Sequence, residues 1–211
     1  MKPIAVISDI HGCYKTLMAI VAKIPDTHQV VLAGDLIDRG PDSAGVVRWA
    51  MDNQVPTVMG NHEDLMLGYH WPRYDCCHEG RGYWLYNGGG DALDSFGGEI
   101  SDQVLEWVNK LPFHIDAEYD GKKFEISHTG FGACETNRST KLWPRYGSDV
   151  YGLPPGDQFR IFGHTQKQEP WIESNFAMID TGCAYKHRGM GKLTAFLIPE
   201  KTVIQQDNID Q

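Results

Sequence analysis

Long apolar runs are missing from this chain. None approaches the ~18 consecutive residues that a membrane-spanning helix needs, so no membrane partner is expected. Basic charge is scarce: 19 Lys and Arg stand against 28 Asp and Glu, a formal net charge of −9. That balance argues against bulk binding to nucleic acid or to an anionic lipid surface. It leaves room for a small anionic substrate, because a bound metal ion reverses the field around it. Cysteine is sparse, five residues without C-x-x-C spacing, which fits a reducing compartment and not a disulfide framework. The first apolar run meets Ser8-Asp9 too soon for a signal peptide, and a cytoplasmic location is expected. Internal repeats and low-complexity tracts are absent too.

What is present describes one soluble domain over residues 1–211. The chain is 41% hydrophobic and 22% charged, and its length suits a single core at ~100–200 residues per domain. Pro3–Ser8, Gln29–Ala33 and Pro56–Met59 are short apolar runs that predict buried strands. Tyr14–Ile24 and Asp42–Asn53 carry apolar residues at helical spacing, with Asp42 placed to cap the second helix. This order predicts a parallel β-α-β-α-β unit. Residues 68–112, dense in aromatics and then helical in pattern, predict a small helical cap. The second half predicts strands over 123–127, 158–162, 176–179, 193–198 and 202–205, with a hairpin turn at Asp120-Gly121.

Five of these strands end in polar residues. The first meets Asp9-x-His11, and the second meets the turn Gly34-Asp35-Leu36-Ile37-Asp38-Arg39-Gly40. The others end at Asn61-His62, His128 and His164. Gly34 and Gly40 are read as taking backbone angles closed to other residues. One Asp-x-His is usually a turn, and one His after a strand is usually a core residue. Five together would converge at one edge of an α/β domain. Oxygen and nitrogen ligands without thiolate suit manganese, iron or zinc. The inventory exceeds the needs of one ion, and two ions ~3.5–4 Å apart require a bridging group, for which Asp35 is the natural candidate.

With these motifs in view, the chain resembles the calcineurin-like metallophosphoesterases. It is most similar to the phosphoprotein phosphatase branch that includes the phosphatase of bacteriophage lambda and its bacterial relatives. Gly34–Gly40, Gly60-Asn61-His62-Glu63, Trp84–Gly90, Phe162-Gly163-His164-Thr165 and Ile179-Asp180-Thr181-Gly182 carry the likeness. The resemblance implies an α/β (α+β by some schemes) four-layer fold, a β-sandwich of two mixed sheets flanked by helices. It implies two divalent ions, manganese first with iron or zinc as alternatives. Asp9, His11 and bridging Asp35 match the ligands of one ion; Asn61, His128 and His164 match those of the other. His62 matches the residue beside the leaving group, oriented by Asp38, and Arg39 and Arg145 match phosphate-binding arginines. The implied reaction is hydrolysis of phosphomonoesters by in-line attack of a hydroxide held between the metals. Protein phosphoserine or phosphothreonine is the leading substrate, with phosphotyrosine in range. The alternative is a dinucleoside polyphosphate of the diadenosine tetraphosphate type. A non-catalytic scaffold is disfavoured because every matching position carries a competent residue, and nuclease activity is disfavoured by the acidic charge.

Other features read more simply. Cys76-Cys77-His78, with His70, is a loop and not a zinc site, because adjacent cysteines ligate one ion poorly. Cys13, Cys134 and Cys183 are expected to be small buried fillers. The aromatics of 69–86 favour cap core over a substrate platform. Lys186-His187-Arg188-Gly189-Met190-Gly191 is either a solvated hairpin tip or a clamp for an anion larger than one phosphate.

Overall fold

The computed structural model describes residues 2–71, 74–76, 81–134, 137–146 and 152–210. Two mixed sheets form its centre. The first has the order β2-β1-β8-β9, from β1 (Ile4–Ile7), β2 (Gln29–Leu32), β8 (Lys192–Ile198) and β9 (Thr202–Asp207). β1 runs parallel to β2 and antiparallel to β8. The second has the order β3-β4-β5-β7-β6, from β3 (His114–Tyr119), β4 (Lys122–Ser127), β5 (Phe159–Phe162), β6 (Trp171–Ile172) and β7 (Phe176–Met178). In this sheet β4, β5 and β7 are parallel to one another.

Strand alternation divides the core. Ile4 and Val6 of β1 join Val31, Phe124, Ile126, Phe159, Ile161 and Phe196 in a cluster drawn from both sheets. Ala5 and Ile7 point the other way. They meet Leu17 and Ile20 of α1 (Tyr14–Val21) and Val46, Val47 and Ala50 of α2 (Ser43–Asp52). A period of two thus makes β1 serve two cores at once. The Asp42 side chain accepts the Gly45 N–H at 2.7 Å and caps α2 as its position predicts. Asp120 and Gly121, both at positive φ, turn β3 into β4.

Three expectations need correction. Residues 56–59 do not form a strand; they touch β2 through a single bridge, Leu32 to Thr57. Asn61 therefore opens a helix, α3 (Asn61–His70), after only that brief pairing. Gly40 has no left-handed backbone angle. Its side-chain position is closed by the His11 carbonyl, whereas Gly34 does sit at φ +86°. Cys134 is partly exposed, not buried, although Cys13 and Cys183 are buried. Cys77 and His78 lie outside the described residues.

Four further helical segments follow α3: α4 (Arg81–Trp84), a π-helical turn over Leu85–Gly89, α5 (Gly90–Ser95) and α6 (Asp102–Asn109). Trp84, Ala92, Val104, Leu105 and Val108 share one core with α1 and α2. A short α7 (Arg138–Leu142) precedes Arg145. Among the described residues, no helix is long and apolar enough to cross a membrane.

One buried ion pair supports the second sheet. Glu125 and Arg160 are cross-strand partners on β4 and β5, 1% and 3% exposed, with Arg160 Nε 3.1 Å from Glu125 Oε2. The same carboxylate accepts from Ser127 Oγ at 3.2 Å, and Ser127 Oγ accepts the Gly130 N–H in the loop after His128. Arg160→Leu strands that carboxylate in the protein interior and should cost about 3–5 kcal/mol of unfolding free energy. Adding Glu125→Leu should recover most of the loss. Urea denaturation of both variants checks this, and equal stabilities of Arg160→Leu and wild type would show that the pair does not matter.

Candidate metal centre

The parallel pairing of β1 with β2, and of β4 with β5 and β7, brings their C-terminal ends to a common edge. The loops after β1 and β2 are joined there by backbone bonds, Asp9 N–H to Gly34 O at 3.1 Å and His11 N–H to Asp35 O at 3.0 Å. Gly163 N–H to His128 O at 3.0 Å joins the ends of β4 and β5 in the same way. The edge is strained. Among the described residues, nine non-glycine residues have positive φ, and six of them are Asp9, His11, Asp35, Asp38, Arg39 and His164. Such angles are uncommon outside glycine and concentrate where a fold over-determines a functional geometry.

Around Asp35 the protein assembles two groups able to hold a metal ion, His11–Asp35–His62 and Asp35–His128–His164, all buried. Asp35 belongs to both, and its two oxygens divide between them. Oδ1 lies 3.4 Å from His128 Nε2, while Oδ2 lies 3.7 Å from His11 Nε2 and 3.9 Å from His62 Nε2.

The hydrogen bonds behind the imidazoles decide what they present to the centre. His128 Nδ1 donates to the Ala33 carbonyl at 3.0 Å, so its Nε2 carries an electron pair. His164 Nε2 donates to the Trp143 carbonyl at 3.1 Å, so its Nδ1 carries one too. These two nitrogens face each other at 3.1 Å, with Asn61 Oδ1 2.9 Å from His128 Nε2. Burial keeps the rings neutral: it lowers His128 to about 4 and holds His164 well below the usual imidazole value, aided by His128 and Arg145. Nitrogen and oxygen electron pairs thus converge with no proton among them, an arrangement that repels itself until a cation lies between. His11 follows the same rule. Its Nδ1 donates to Ile37 O at 2.8 Å, and its Nε2 pair is met by Arg39 Nη1 at 2.5 Å, so it already faces a positive charge.

The carboxyls carry the complementary signal. Burial, then mutual repulsion, pushes Asp9 up to about 7, and burial also raises Asp35 to about 7 despite the His62 N–H and Arg39. Glu63 rises to about 7 through burial and the charge of Asp35. Asp180 is raised well above the usual range by burial and by Asp9. Crowded buried acids of this kind ionise together only if positive charge joins them, which divalent cations supply. The residues present therefore fit metal ions.

Asp9 stands apart from both groups. Its carboxylate accepts from Ser8 Oγ and from the His164 N–H at 3.0 and 3.2 Å. Arg145 reaches the site from the loop after α7, donating to His164 O at 2.7 Å and Gln166 Oε1 at 3.2 Å. With Arg39, Asp35, Asn61, His62 and Tyr83 it lines a cavity of about 320 Å³ over the centre.

His62 pairs with Asp38, Nδ1 to Oδ2 at 2.5 Å. Burial raises Asp38 well above the carboxylate range, and burial together with Arg39 lowers His62 well below its own. The two directions agree on a pair that is neutral overall, wherever its proton rests. Trp84 Nε1–H donates to both Asp38 oxygens at 3.1 and 3.0 Å and favours the carboxylate form.

Three residues at the centre carry no site assignment from sequence. Glu63 accepts the backbone N–H groups of Asp35, Leu36 and Gly60 at 2.9, 2.8 and 2.9 Å, tying the second loop to the start of α3. Trp84 reads from sequence as cap core, and it is that as well, at 1% exposure. Asp180 is legible as a further strand end, since it closes β7 as His164 follows β5.

The sequence profile described as Calcineurin-like phosphoesterase matches residues 2–191. The chain belongs to that family. Serine/threonine-protein phosphatase 2 of Escherichia coli (strain K12) is 30% identical over 200 residues, covering 86% of this chain and 88% of the relative. An asymmetrical bis(5'-nucleosyl)-tetraphosphatase, PrpE of Bacillus subtilis (strain 168), is 28% identical over 239 residues, covering 92% and 90%. The solved structure of a candidate diadenosine tetraphosphatase superposes with a TM-score of 0.68 at 19% identity, over 100% of this chain and 95% of that one. This last likeness establishes the fold, two mixed sheets flanked by helices, as the resemblance implied.

Proposed function

We propose that this calcineurin-like phosphoesterase is a dinuclear metal-dependent phosphatase of phosphomonoesters, acting first on phosphoserine and phosphothreonine in proteins. The observation that carries the metal-dependent reading is the division of the Asp35 oxygens between two buried His/Asp groups. Similarity to the E. coli serine/threonine-protein phosphatase over most of both chains supports the substrate.

In this reading Asp9, His11 and Asp35 would hold one ion, with Asp9 in the place that His62 takes in the buried group, and Asp35, Asn61, His128 and His164 would hold the other. Bound divalent ions supply Lewis acidity and lower the pKa of coordinated water. Manganese is the first choice of metal. Arg39 and Arg145 line the cavity and offset charge on the phosphoryl oxygens, gripping two at a time as Lys cannot. His62 donates a proton to the leaving oxygen, and Asp38 holds the imidazole by its 2.5 Å bond to Nδ1.

Trp84 enters this scheme through Asp38. Trp84→Phe keeps an aromatic ring in the core but removes the donor to the carboxylate. It should lower kcat about tenfold on an alkyl phosphate, given that a hydrogen bond to a charged group contributes roughly 1.5–3 kcal/mol. The loss should be smaller on p-nitrophenyl phosphate, whose leaving group needs little protonation. Equal losses on both esters would count against the proton-donor arrangement.

A second reading, hydrolysis of dinucleoside polyphosphates, is favoured by the likeness to the B. subtilis tetraphosphatase over about nine tenths of both chains. A manganese-reconstituted assay of phosphopeptides, diadenosine tetraphosphate and nucleotides in parallel decides between them. Fastest turnover of the phosphoseryl or phosphothreonyl peptide is expected; faster turnover of the tetraphosphate would transfer the assignment.

A further inference from the structure

Tyr185 follows Asp180-Thr181-Gly182 and lies at the junction between the candidate metal centre and the basic loop. Its ring is edge-on to His11, with centroids 6.4 Å apart. The Arg39 guanidinium lies over the ring, its carbon 5.0 Å from the centroid. The Arg188 guanidinium lies over the same ring, also at 5.0 Å. Arg39 lines the cavity above the centre, whereas Arg188 belongs to the exposed turn Lys186–Arg188. One half-buried aromatic ring therefore holds two cations, one that lines the cavity and one on the exposed turn. Each gains from the negative face of the ring, and two guanidinium groups that both lie 5.0 Å from one ring centre raise the positive potential felt by an anion that reaches both.

The loop is shaped to keep this arrangement. Arg188 N–H bonds to Tyr185 O at 2.8 Å, and Gly189 closes the turn at φ +74° with its N–H on Lys186 O at 3.1 Å. Gly88 holds the other end. Its carbonyl accepts the Arg39 N–H at 3.3 Å, and its φ of +106° lets the π-helical turn press against the Arg39 side chain. The guanidinium of Arg39 is thus held through its backbone by Gly88 and at its tip by the Tyr185 ring and His11 Nε2; an ion on His11 would displace the last contact and leave the ring as the support.

We propose that Tyr185 is a positioning residue for Arg39 and that Arg188, held on the same ring, binds a second phosphoryl group of the substrate. This rests on the phosphatase reading, in which Arg39 takes the scissile phosphate. The second group can come from a polyphosphate chain or from a neighbouring phosphoresidue of a peptide; both present the same oxygens to a guanidinium.

The test uses the manganese-loaded protein and three variants, Arg188→Gln, Tyr185→Phe and Tyr185→Leu. The substrates are p-nitrophenyl phosphate, diadenosine tetraphosphate, and singly and doubly phosphorylated versions of one peptide. Arg188→Gln should raise KM about fivefold more for substrates with a second phosphoryl group than for p-nitrophenyl phosphate, as expected for one partly exposed ionic contact. Whichever of the tetraphosphate and the doubly phosphorylated peptide responds names the source of the second group. Tyr185→Leu should lower kcat/KM about tenfold on every substrate, and Tyr185→Phe, which keeps the ring, should stay within about twofold of wild type.

Binding of inorganic triphosphate and orthophosphate by calorimetry gives a readout independent of turnover. Arg188→Gln should weaken triphosphate and spare orthophosphate. Equal KM changes on all substrates, or equal binding changes for both anions, would overturn the role of Arg188. A Tyr185→Phe variant as impaired as Tyr185→Leu would overturn the role of the ring. If Tyr185→Leu does not fold, judged by circular dichroism, Tyr185→Met takes its place in the comparison with Tyr185→Phe, and Arg188→Gln decides the role of Arg188 independently. A wild type inactive on every ester would remove the phosphatase reading, while the calorimetry still reports on Arg188.

Discussion

His62→Asn is expected to keep its metal and to lose at least about 100-fold in kcat on esters with poor leaving groups, the lower end for general acid catalysis. The expectation comes from where His62 stands. Its backbone N–H is fixed on Asp35 Oδ1 at 3.1 Å, and its Nδ1 is fixed on Asp38. Nε2 is left aimed into the cavity, and asparagine fills similar space with no group able to give up a proton. His62 belongs to the His11–Asp35–His62 group, with Nε2 3.9 Å from Asp35 Oδ2, but the set proposed for that ion, Asp9, His11 and Asp35, does not include it. The decisive measurement pairs kcat on an alkyl phosphate with metal content. Full metal occupancy with unchanged turnover would eliminate His62 as the proton donor; loss of metal would make it a ligand instead.

Asp35→Asn should remove activity and metal together. Both groups of candidate ligands run through this one carboxylate, so the variant loses one anionic charge from each. It also turns an amide N–H₂ or a weaker carbonyl toward imidazole electron pairs. The loss of affinity should exceed the ~10–100-fold that accompanies removal of a supporting partner behind a ligand. Elemental analysis after dialysis, with activity at saturating manganese, checks it. An active, fully metallated Asp35→Asn variant would show that Asp35 does not bridge.

These two expectations share a cause. Asp35 and Asp38 sit in one turn, and the turn is held from outside itself, by Glu63 from α3, Trp84 from α4 and Ser43 Oγ, which accepts the Asp38 N–H at 3.0 Å. Those supports explain how backbone angles that cost energy in isolation persist at Asp35, Asp38 and Arg39.

Much of the fold could be read in one dimension. Apolar runs of four to six residues are strands in both sheets, Asp42 caps its helix and Asp120-Gly121 turns its hairpin, because each of these signals is local. The helix at Asn61–His70 was silent for a physical reason. Residues 61–67 are all buried, so no polar stripe alternates with an apolar one and periodicity has nothing to report. The strand expected at 56–59 failed because only one pairing with β2 forms before α3 begins.

The site divides along the same line. Residue types and their order after the strands are properties of the chain, and they name Asp9, His11, Asp35, Asn61, His128 and His164 as candidates through motif and resemblance alone. Which electron pairs face inward is not such a property. It depends on Ala33, Ile37 and Trp143 carbonyls that reach the imidazoles across 95, 26 and 21 residues of chain. The pairing of Trp84 with Asp38 spans 46 residues, and Arg39 meets the Tyr185 ring from the other half of the chain. Sequence determined the chemical inventory, since ligand identity is written residue by residue. Tertiary structure alone decided how that inventory is oriented, since tautomers, strained turns and shared rings are set by contacts between segments that sequence keeps far apart.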